Sequence, residues 1–140
     1  MRLVDANVLL YAVNEGAVQH ARARDWLNAA LSGLETVGFS WSVLLAFLRV
    51  ATRPVVLPRP LPVEVAIVIA QGWLAQPPSV IVEPGPRHLD RLGGLLAPSG
   101  TGGNLVVDGH LAALALEHDA TVVSFDRDFG RFVGVRLEVP

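Results

Sequence analysis

The segment Arg2–Leu9, RLVDANVL, decides the fold class of this chain. Its first residues, Arg2–Asp5, predict a short strand, and the following residues predict a helix from Asn7 to about Asn14, with Asn7 as the N-cap. A strand that leads directly into a helix is the repeating unit of parallel α/β proteins. Asp5 ends this strand, and ligand sites in such proteins form outside the carboxyl ends of the strands. Asp5 is therefore a candidate site residue.

The remainder of the chain continues the alternation of strands and helices. Helices are predicted over residues 20–34, 40–52, 62–75, 86–96 and 104–118, and strands over 36–39, 79–83, 121–124 and 135–139. A proline-rich loop at 54–62 and a glycine-rich loop at 98–103 separate some of them. This order predicts a single α/β domain, residues 1–140, with a central, mostly parallel sheet covered by helices on both faces.

Composition removes several classes of function. The chain has no cysteine, which excludes disulfides and thiolate metal sites, and its four histidines lack the spacing of a zinc site. The net charge of −2 argues against an overall basic nucleic-acid binder, although all 11 basic residues are arginine. Apolar residues make up 51% of the chain, and we expect part of this excess to be covered by a partner.

Two stretches bear on the cellular compartment. Asp5 interrupts the N-terminal apolar run, so no signal peptide is predicted. Residues 65–82 carry no charge, but Gln71, Pro77 and Pro78 predict a buried helix, a turn and a strand there rather than a membrane span. We expect a cytoplasmic protein with no membrane association.

Three aspartates are placed to meet at one crevice. Asp5 ends the first strand, Asp108 lies in the first turn of the helix that opens at Asn104, and Asp126 follows the strand 121–124. Taken singly, they could be a helix cap, a complement to the helix dipole and a turn residue. Taken together, they require a positive group among them, and a hard divalent cation such as Mg²⁺ or Mn²⁺ fits carboxylate oxygens best.

Three segments carry a resemblance to a known family. Val4–Leu9 (VDANVL) resembles the opening motif of PIN domains, Asn104–Ala115 (NLVVDGHLAALA) resembles their central acidic helix, and Thr121–Phe129 (TVVSFDRDF) resembles their closing motif. In length and spacing the chain resembles a VapC-type ribonuclease toxin. The resemblance covers essentially all 140 residues.

The resemblance implies the toxin of a type II toxin–antitoxin system. Such a protein is a homodimer, is inhibited by a cognate VapB-type antitoxin, and cleaves RNA, often a tRNA or an rRNA, as a Mg²⁺-dependent endoribonuclease, with Mn²⁺ as an alternative ion. Asp5, Asp108 and Asp126 match the catalytic and metal-binding acids of the family. Possible contacts to substrate or water are assigned to four further residues: Asn7, Ser40, Asp128 and Arg49.

One position departs from the family pattern. The segment Ser40–Arg49 (SWSVLLAFLR) resembles a family helix that usually carries a glutamate just before Phe-Leu, and this chain has Ala46 there. Alanine cannot bind a metal. The departure keeps a second function open, namely a PIN-like module that binds RNA or a partner without cleaving it.

The other expectations concern surfaces. Arg49, Arg53 and Arg59 flank the proline-rich loop and could contact RNA phosphate or face the antitoxin. The helices from His20 and from Pro62 are expected to supply dimer or antitoxin contacts. The histidines of the acidic helix, at 110 and 118, are expected to be packing or surface residues.

A phosphoryl-transfer site with an aspartate nucleophile is disfavoured, because families that place one after the first strand normally use a lysine and this chain has none. A dinucleotide site is disfavoured because no glycine fingerprint follows the first strand.

Overall fold

The computed structural model describes residues 1–54, 59–99 and 102–140. Its strands are β1 (Arg2–Val4), β2 (Val37–Phe39), β3 (Ser79–Ile81), β4 (Thr121–Val123) and β5 (Arg136–Glu138). Its α-helices are α1 (Ala6–Val13), α2 (His20–Leu31), α3 (Trp41–Ala51), α4 (Val63–Leu74), α5 (His88–Leu96) and α6 (Leu105–Glu117). The loops predicted at 54–62 and 98–103 include residues 55–58 and 100–101, which lie outside the described residues.

The five strands form one sheet in the order β3-β2-β1-β4-β5, and every pairing is parallel. Leu3 and Val4 are adjacent in β1, so their side chains point to opposite faces, and both are fully buried. Val122 and Val123 repeat this arrangement in β4. The centre of the sheet is therefore covered on both faces, as the alternating sequence predicts.

The helices pack in two groups. Helix α1 contacts α2 and α3, α3 contacts α4, and α5 contacts α6. The buried core between sheet and helices is built on three phenylalanines, Phe39, Phe47 and Phe129, together with aliphatic side chains from β1, α1 and α6. This packing fixes the position of the carboxyl ends of the strands.

Several predicted boundaries differ from the structure: the helix predicted over 20–34 ends at Leu31, the helix predicted from 86 begins at His88, and the strand predicted over 79–83 ends at Ile81. Two further differences share one cause. Helix α1 begins at Ala6, and its N-cap is Asp5 rather than Asn7, because the Asp5 side chain accepts a hydrogen bond from the Ala6 N–H. The segment after β4, predicted as a turn, continues into a short 3₁₀ helix over Arg127–Arg131, capped by Asp126. Both differences arise because an aspartate side chain accepts backbone N–H groups at a helix start.

The uncharged stretch at 65–82 is less buried than its composition predicts. Helix α4 buries only Ala66 and Ala70, and it leaves Val68 64% exposed. Strand β3 lies at the edge of the sheet, so Val80 and Ile81 are also partly exposed. The expectation of a buried helix was wrong, because an apolar composition does not reveal whether a neighbouring element covers the helix. No helix within the described residues is long and apolar enough to cross a membrane.

Candidate active site

The strand order places a crevice between β1 and β4. The chain runs from β1 to β2 to β3 on one side and then returns to the other side of β1 for β4 and β5. In open parallel sheets, such a reversal of direction opens a crevice at the carboxyl ends of the two central strands. Val4 is paired with Val123, so Asp5 and Ser124, the next residue on each strand, emerge side by side.

A compact hydrogen-bond network holds Asp5. The Ser124 hydroxyl donates to Asp5 Oδ2 at 2.7 Å, and the Asn7 side-chain amide donates to the same oxygen at 2.7 Å. The other oxygen, Oδ1, accepts the Ala6 N–H at 2.6 Å. With both of its oxygens bonded, the Asp5 carboxylate is held in one orientation. Asn7, for which a contact to substrate or water is expected, orients Asp5 in this structure.

Ser124 connects the segment that follows β1 with the segment that follows β4. The sequence patterns did not identify it as a site residue. Its hydroxyl also accepts the Asn7 amide at 2.9 Å and the backbone N–H of Asp126 at 2.9 Å. Asn7 in turn accepts the Phe125 N–H at 3.2 Å. Ser124 is fully buried, so these bonds are shielded from water. The sequence did offer one signal for Ser124, because this hydroxyl residue lies between an apolar strand and the candidate acid Asp126.

Asp126 and Asp128 lie at the exposed rim of the crevice. The Asp126 side chain accepts the N–H of Asp128 at 2.8 Å and so caps the short helix that follows. Asp128 pairs with Arg131 at 3.5 Å. One oxygen of Asp126 is thus engaged locally, while its backbone is tied to Ser124 beneath it.

Asp108 reaches the same crevice from the first turn of α6. A small cavity of about 30 Å³ lies between α1, α3 and α6, and Asp5, Asp108, Ser42 and Ala46 are among the residues that line it. This volume holds about one or two water-sized molecules. The structure therefore brings Asp5 and Asp108 to one cavity and places Ala46 in its wall.

Burial and mutual repulsion raise the pKa values of the two inner carboxyl groups. The pKa of Asp5 lies above its ordinary value, mainly because of burial and also because of the negative charge of Asp126, although the bonds from Ser124 and Ala6 oppose this rise. The pKa of Asp108 is raised by burial and by the charges of Asp5, Asp126 and Asp128, with Arg131 opposing. The acids therefore share one electrostatic field.

The donor set fits a divalent cation in charge and in atom type. Within residues 1–54, 59–99 and 102–140, no ion pair to a basic side chain neutralises Asp5, Asp108 or Asp126. Carboxylate oxygens and mutual repulsion are the features expected where Mg²⁺ or Mn²⁺ is held. No three acidic or imidazole side chains of the described part form a closed ligand group, so the crevice is not a preformed metal cage.

The other predicted contact residues lie elsewhere. Ser40 is buried as the N-cap of α3, where its hydroxyl accepts the Val43 N–H at 3.3 Å and pairs with the Ser42 hydroxyl at 2.8 Å. Ser42, rather than Ser40, lines the cavity with Asp5 and Asp108. Arg49 is exposed in the last turn of α3.

Comparison with known proteins gives one family and a set of close relatives. The PIN-domain family matches residues 2–135. The chain is 56% identical to "Ribonuclease VapC37" of Mycobacterium tuberculosis over 140 residues, which cover 100% of this chain and 97% of the relative. It is 42% identical to "Ribonuclease VapC33" of the same species, again over 140 residues, with 98% of the relative covered.

Solved structures show the same fold at low sequence identity. VapC20 of Mycobacterium tuberculosis, described as a sarcin–ricin loop cleaving toxin, superposes with a TM-score of 0.70 at 19% identity, covering 97% of this chain and 99% of that one. VapBC2 of Rickettsia felis, bound to promoter DNA, gives a TM-score of 0.70 at 20% identity, covering 99% and 97%.

The parallel sheet, the acidic crevice and the family match together define a PIN domain, and this chain belongs to the PIN-domain family. Within that family, identity over its full length places it among the VapC-type proteins of toxin–antitoxin systems. The predicted resemblance to VapC-type PIN domains is thereby confirmed.

Proposed function

We propose that this protein is a Mg²⁺-dependent endoribonuclease, with Mn²⁺ able to replace Mg²⁺, and that it cleaves tRNA or rRNA as the toxin of a type II toxin–antitoxin pair. The observation that carries the proposal is the joint placement of Asp5 and Asp108 in one cavity, with Asp126 in the same electrostatic field. The names of the relatives, all ribonucleases, support the reaction class.

Each acid has a separate task in this proposal. Asp5, held by Ser124 and Asn7, presents a fixed carboxylate, while Asp108 and Asp126 complete the negative field from α6 and from the rim. These three residues would hold the ion, which when bound supplies the activation of a water molecule and stabilises the leaving oxygen of the phosphodiester. No covalent enzyme intermediate is required.

Substrate binding needs positive charge around the acidic crevice. Arg49 and Arg127 are exposed, and within the described residues no carboxylate forms an ion pair with either of them. We propose that they contact the RNA backbone, because arginine forms paired hydrogen bonds with phosphate. Since tRNA and rRNA are cytoplasmic, we expect the protein to act in the cytoplasm.

A homodimer and a VapB-type antitoxin are the proposed protein partners. Helix α4 has an exposed face that carries four apolar side chains, Val63, Val65, Ile67 and Val68, together with Glu64 and Gln71. A groove of about 410 Å³ runs between α2 and α4, lined by residues that include Leu31, Ile69 and Trp73. We assign the exposed face to the dimer and the groove to a segment of the antitoxin.

The proposal is tested by incubating total RNA with the protein in the presence of Mg²⁺ or Mn²⁺. We expect the parent protein to cut RNA and Asp108→Asn to lose most of that activity. A matched control is Asp90→Asn, which neutralises an exposed aspartate of α5 outside the crevice and should cut like the parent. If the parent and Asp108→Asn leave RNA equally intact, the nuclease proposal is lost.

The second candidate, a module that binds RNA without cutting it, is favoured by Ala46 alone, because this residue leaves the cavity without a further carboxylate. Such a module would retard RNA on a native gel. Its affinity would not change when a chelator is added. A retarded but intact RNA in the presence of Mg²⁺ would support this candidate over the nuclease.

A further inference from the structure

Helices α5 and α6 approach each other closely at the turn of α6 that carries Asp108. Gly109, the next residue, is buried against the side chains of Leu92 and Leu96. A Cβ atom at position 109 would lie 3.0 Å from Leu92 Cδ1 and 3.1 Å from Leu96 Cδ2, which is tighter than ordinary van der Waals contact. The absence of a side chain at Gly109 therefore allows α5 to pack closely against α6 at the turn that carries Asp108.

A chain of hydrogen bonds, which we call the histidine clasp, ties the same two helices together and consists of Glu117, His88 and His110. His88 Nδ1 lies 3.1 Å from Glu117 Oε2, and His88 Nε2 lies 2.8 Å from His110 Nδ1. A carboxylate only accepts, so His88 Nδ1 donates to Glu117.

Two members of the clasp are largely covered, and His110 is half-buried. His88 is 8% exposed, and the Glu117 side chain is 10% exposed. The Gly85 N–H adds a bond to Glu117 at 3.1 Å, so the segment that leads into α5 is held as well. Hydrogen bonds to a charged, buried group are among the stronger ones in proteins, and breaking one leaves an unpaired polar group.

Within residues 1–54, 59–99 and 102–140, few other contacts hold the start of α6. Asn104, its N-cap, forms no side-chain capping bond, and Val106 and Val107 are 41% and 61% exposed. The buried residues of the helix begin only at Gly109. Asp108 thus sits on a lightly held turn, and the first firm contacts behind it are Gly109 against α5 and the His110 end of the clasp.

We propose that the histidine clasp is a positioning device for Asp108. By fixing α6 against α5, His88 and Glu117 hold the Asp108 carboxyl at the cavity that it shares with Asp5. The clasp lies outside the acidic crevice and touches none of the reacting groups. The consequence for metal binding rests on the proposed function, whereas the effect on the start of α6 does not.

The test compares His88→Leu, which removes both hydrogen bonds, with His88→Gln, whose amide keeps one donor and one acceptor. Amide hydrogen exchange of residues 105–111 and Mn²⁺ binding followed by electron paramagnetic resonance are measured on the full chain. We expect His88→Leu to speed exchange there roughly tenfold and to weaken Mn²⁺ binding by about tenfold. His88→Gln should restore much of both.

Trp26→Phe is the matched control for general loss of stability. It removes the 2.6 Å bond from Trp26 Nε1 to Glu138 Oε1, which joins α2 to β5 far from the clasp. The proposal is overturned if His88→Leu changes exchange at 105–111 and Mn²⁺ affinity no more than Trp26→Phe does. Should His88→Leu fail to fold, Glu117→Gln, of equal size, is judged in the same two assays by the same criteria.

The result also separates this proposal from the nuclease proposal. If the parent neither cuts RNA nor binds Mn²⁺, the proposed function fails, and faster exchange at 105–111 in the His88→Leu variant still supports the clasp. If the parent binds Mn²⁺ and cuts, but His88→Leu does so with parent affinity and protection, only the clasp is rejected.

Discussion

Ser124 is the residue on which most of the crevice depends. Its hydroxyl donates to Asp5 and accepts from Asn7 and from the Asp126 backbone, so one oxygen links three parts of the site. It is fully buried, and water cannot replace these bonds without entering the core. The residue contributes no metal ligand in the proposed chemistry, yet it bonds both the Asp5 carboxylate and the backbone of Asp126.

Ser124→Ala is therefore expected to reduce both stability and cleavage. Leaving the buried polar groups of Asn7 and Asp5 with one partner fewer costs about 1–3 kcal/mol of unfolding free energy. Chemical denaturation measures this loss, and cleavage per folded molecule measures the loss of orientation. An unchanged cleavage rate per folded molecule would show that Ser124 is structural only.

Ser40 gives the opposite expectation, because it is an N-cap outside the cavity. Ser40→Ala should lower the unfolding free energy by about 1 kcal/mol while cleavage per folded molecule stays near the parent value. Ser42→Ala, which alters the cavity wall itself, is the comparison variant. If Ser40→Ala abolishes cleavage in a folded protein, the assignment of Ser40 to substrate or water contact is correct instead.

The raised pKa values of Asp5 and Asp108 have a defined effect on stability. A carboxyl whose pKa is raised by folding stabilises the protein at pH values below its unfolded pKa, and that contribution is lost as pH rises through the folded pKa. At neutral pH the ionised pair therefore costs stability while no cation is bound.

Asp108→Asn is expected to raise the Tm of the metal-free protein at pH 7 by about 2–4 °C, since it removes one charge from a partly exposed acidic cluster. Millimolar Mg²⁺ should raise the Tm of the parent and have little effect on the variant. Differential scanning calorimetry with and without chelator measures both shifts. Equal Tm values for the two metal-free proteins would contradict the repulsion.

At the scale of elements, the strands were the easiest part to predict. The strands β1, β2 and β4 lie within one residue of the predicted ranges, because fully buried strands of a parallel sheet are short apolar runs. The contacts between elements were not predictable in the same way. Ser124 bonds to Asp5 across 119 positions and His88 to Glu117 across 29, and no local pattern reports such pairs.

Helix α3 carries Ala46, the residue that departs from the family pattern, and the structure shows which cavity this residue lines. Ala46 lines the cavity with Asp5 and Asp108, so a longer acid at this position would add a carboxylate to the same space. Among the described residues that line the cavity, no acid other than these two aspartates is present. The proposed nuclease must therefore bind its ion with fewer carboxylates than the family pattern supplies.

Ala46→Glu should therefore lower the Mg²⁺ concentration that gives half-maximal cleavage, by about three- to tenfold. It should also lower the Tm of the metal-free protein, because a further negative charge joins the repelling cluster. Ala46→Gln is the control, since it fills the same volume without the charge. If Ala46→Glu and Ala46→Gln change the Mg²⁺ requirement and the Tm equally, their effect comes from packing and the cavity is not the metal site.

At the scale of the whole molecule, the apolar composition is explained only in part by the core. The face of α4 formed by Val63, Val65, Ile67 and Val68 remains outside, and Trp41 and Leu45 of the neighbouring helix α3 are 54% and 59% exposed. Helix α2, by contrast, turns its apolar side inward, and Trp26 bonds to Glu138. Dimer or antitoxin contacts were expected from both α2 and α4, and the exposed apolar surface available for them lies mainly on α4.

A charge placed on this face should separate a dimer without unfolding the chain. Val68 is 64% exposed, so Val68→Glu removes little buried contact within one molecule but would place a carboxylate inside an apolar interface. We expect the parent to sediment as a dimer at micromolar concentration and Val68→Glu as a monomer with an unchanged circular dichroism spectrum. Leu89→Glu, at an 80% exposed position of α5, is the matched control and should remain dimeric. A Val68→Glu variant that sediments with the parent would exclude α4 as the dimer surface, and the face would then be left for another partner to cover.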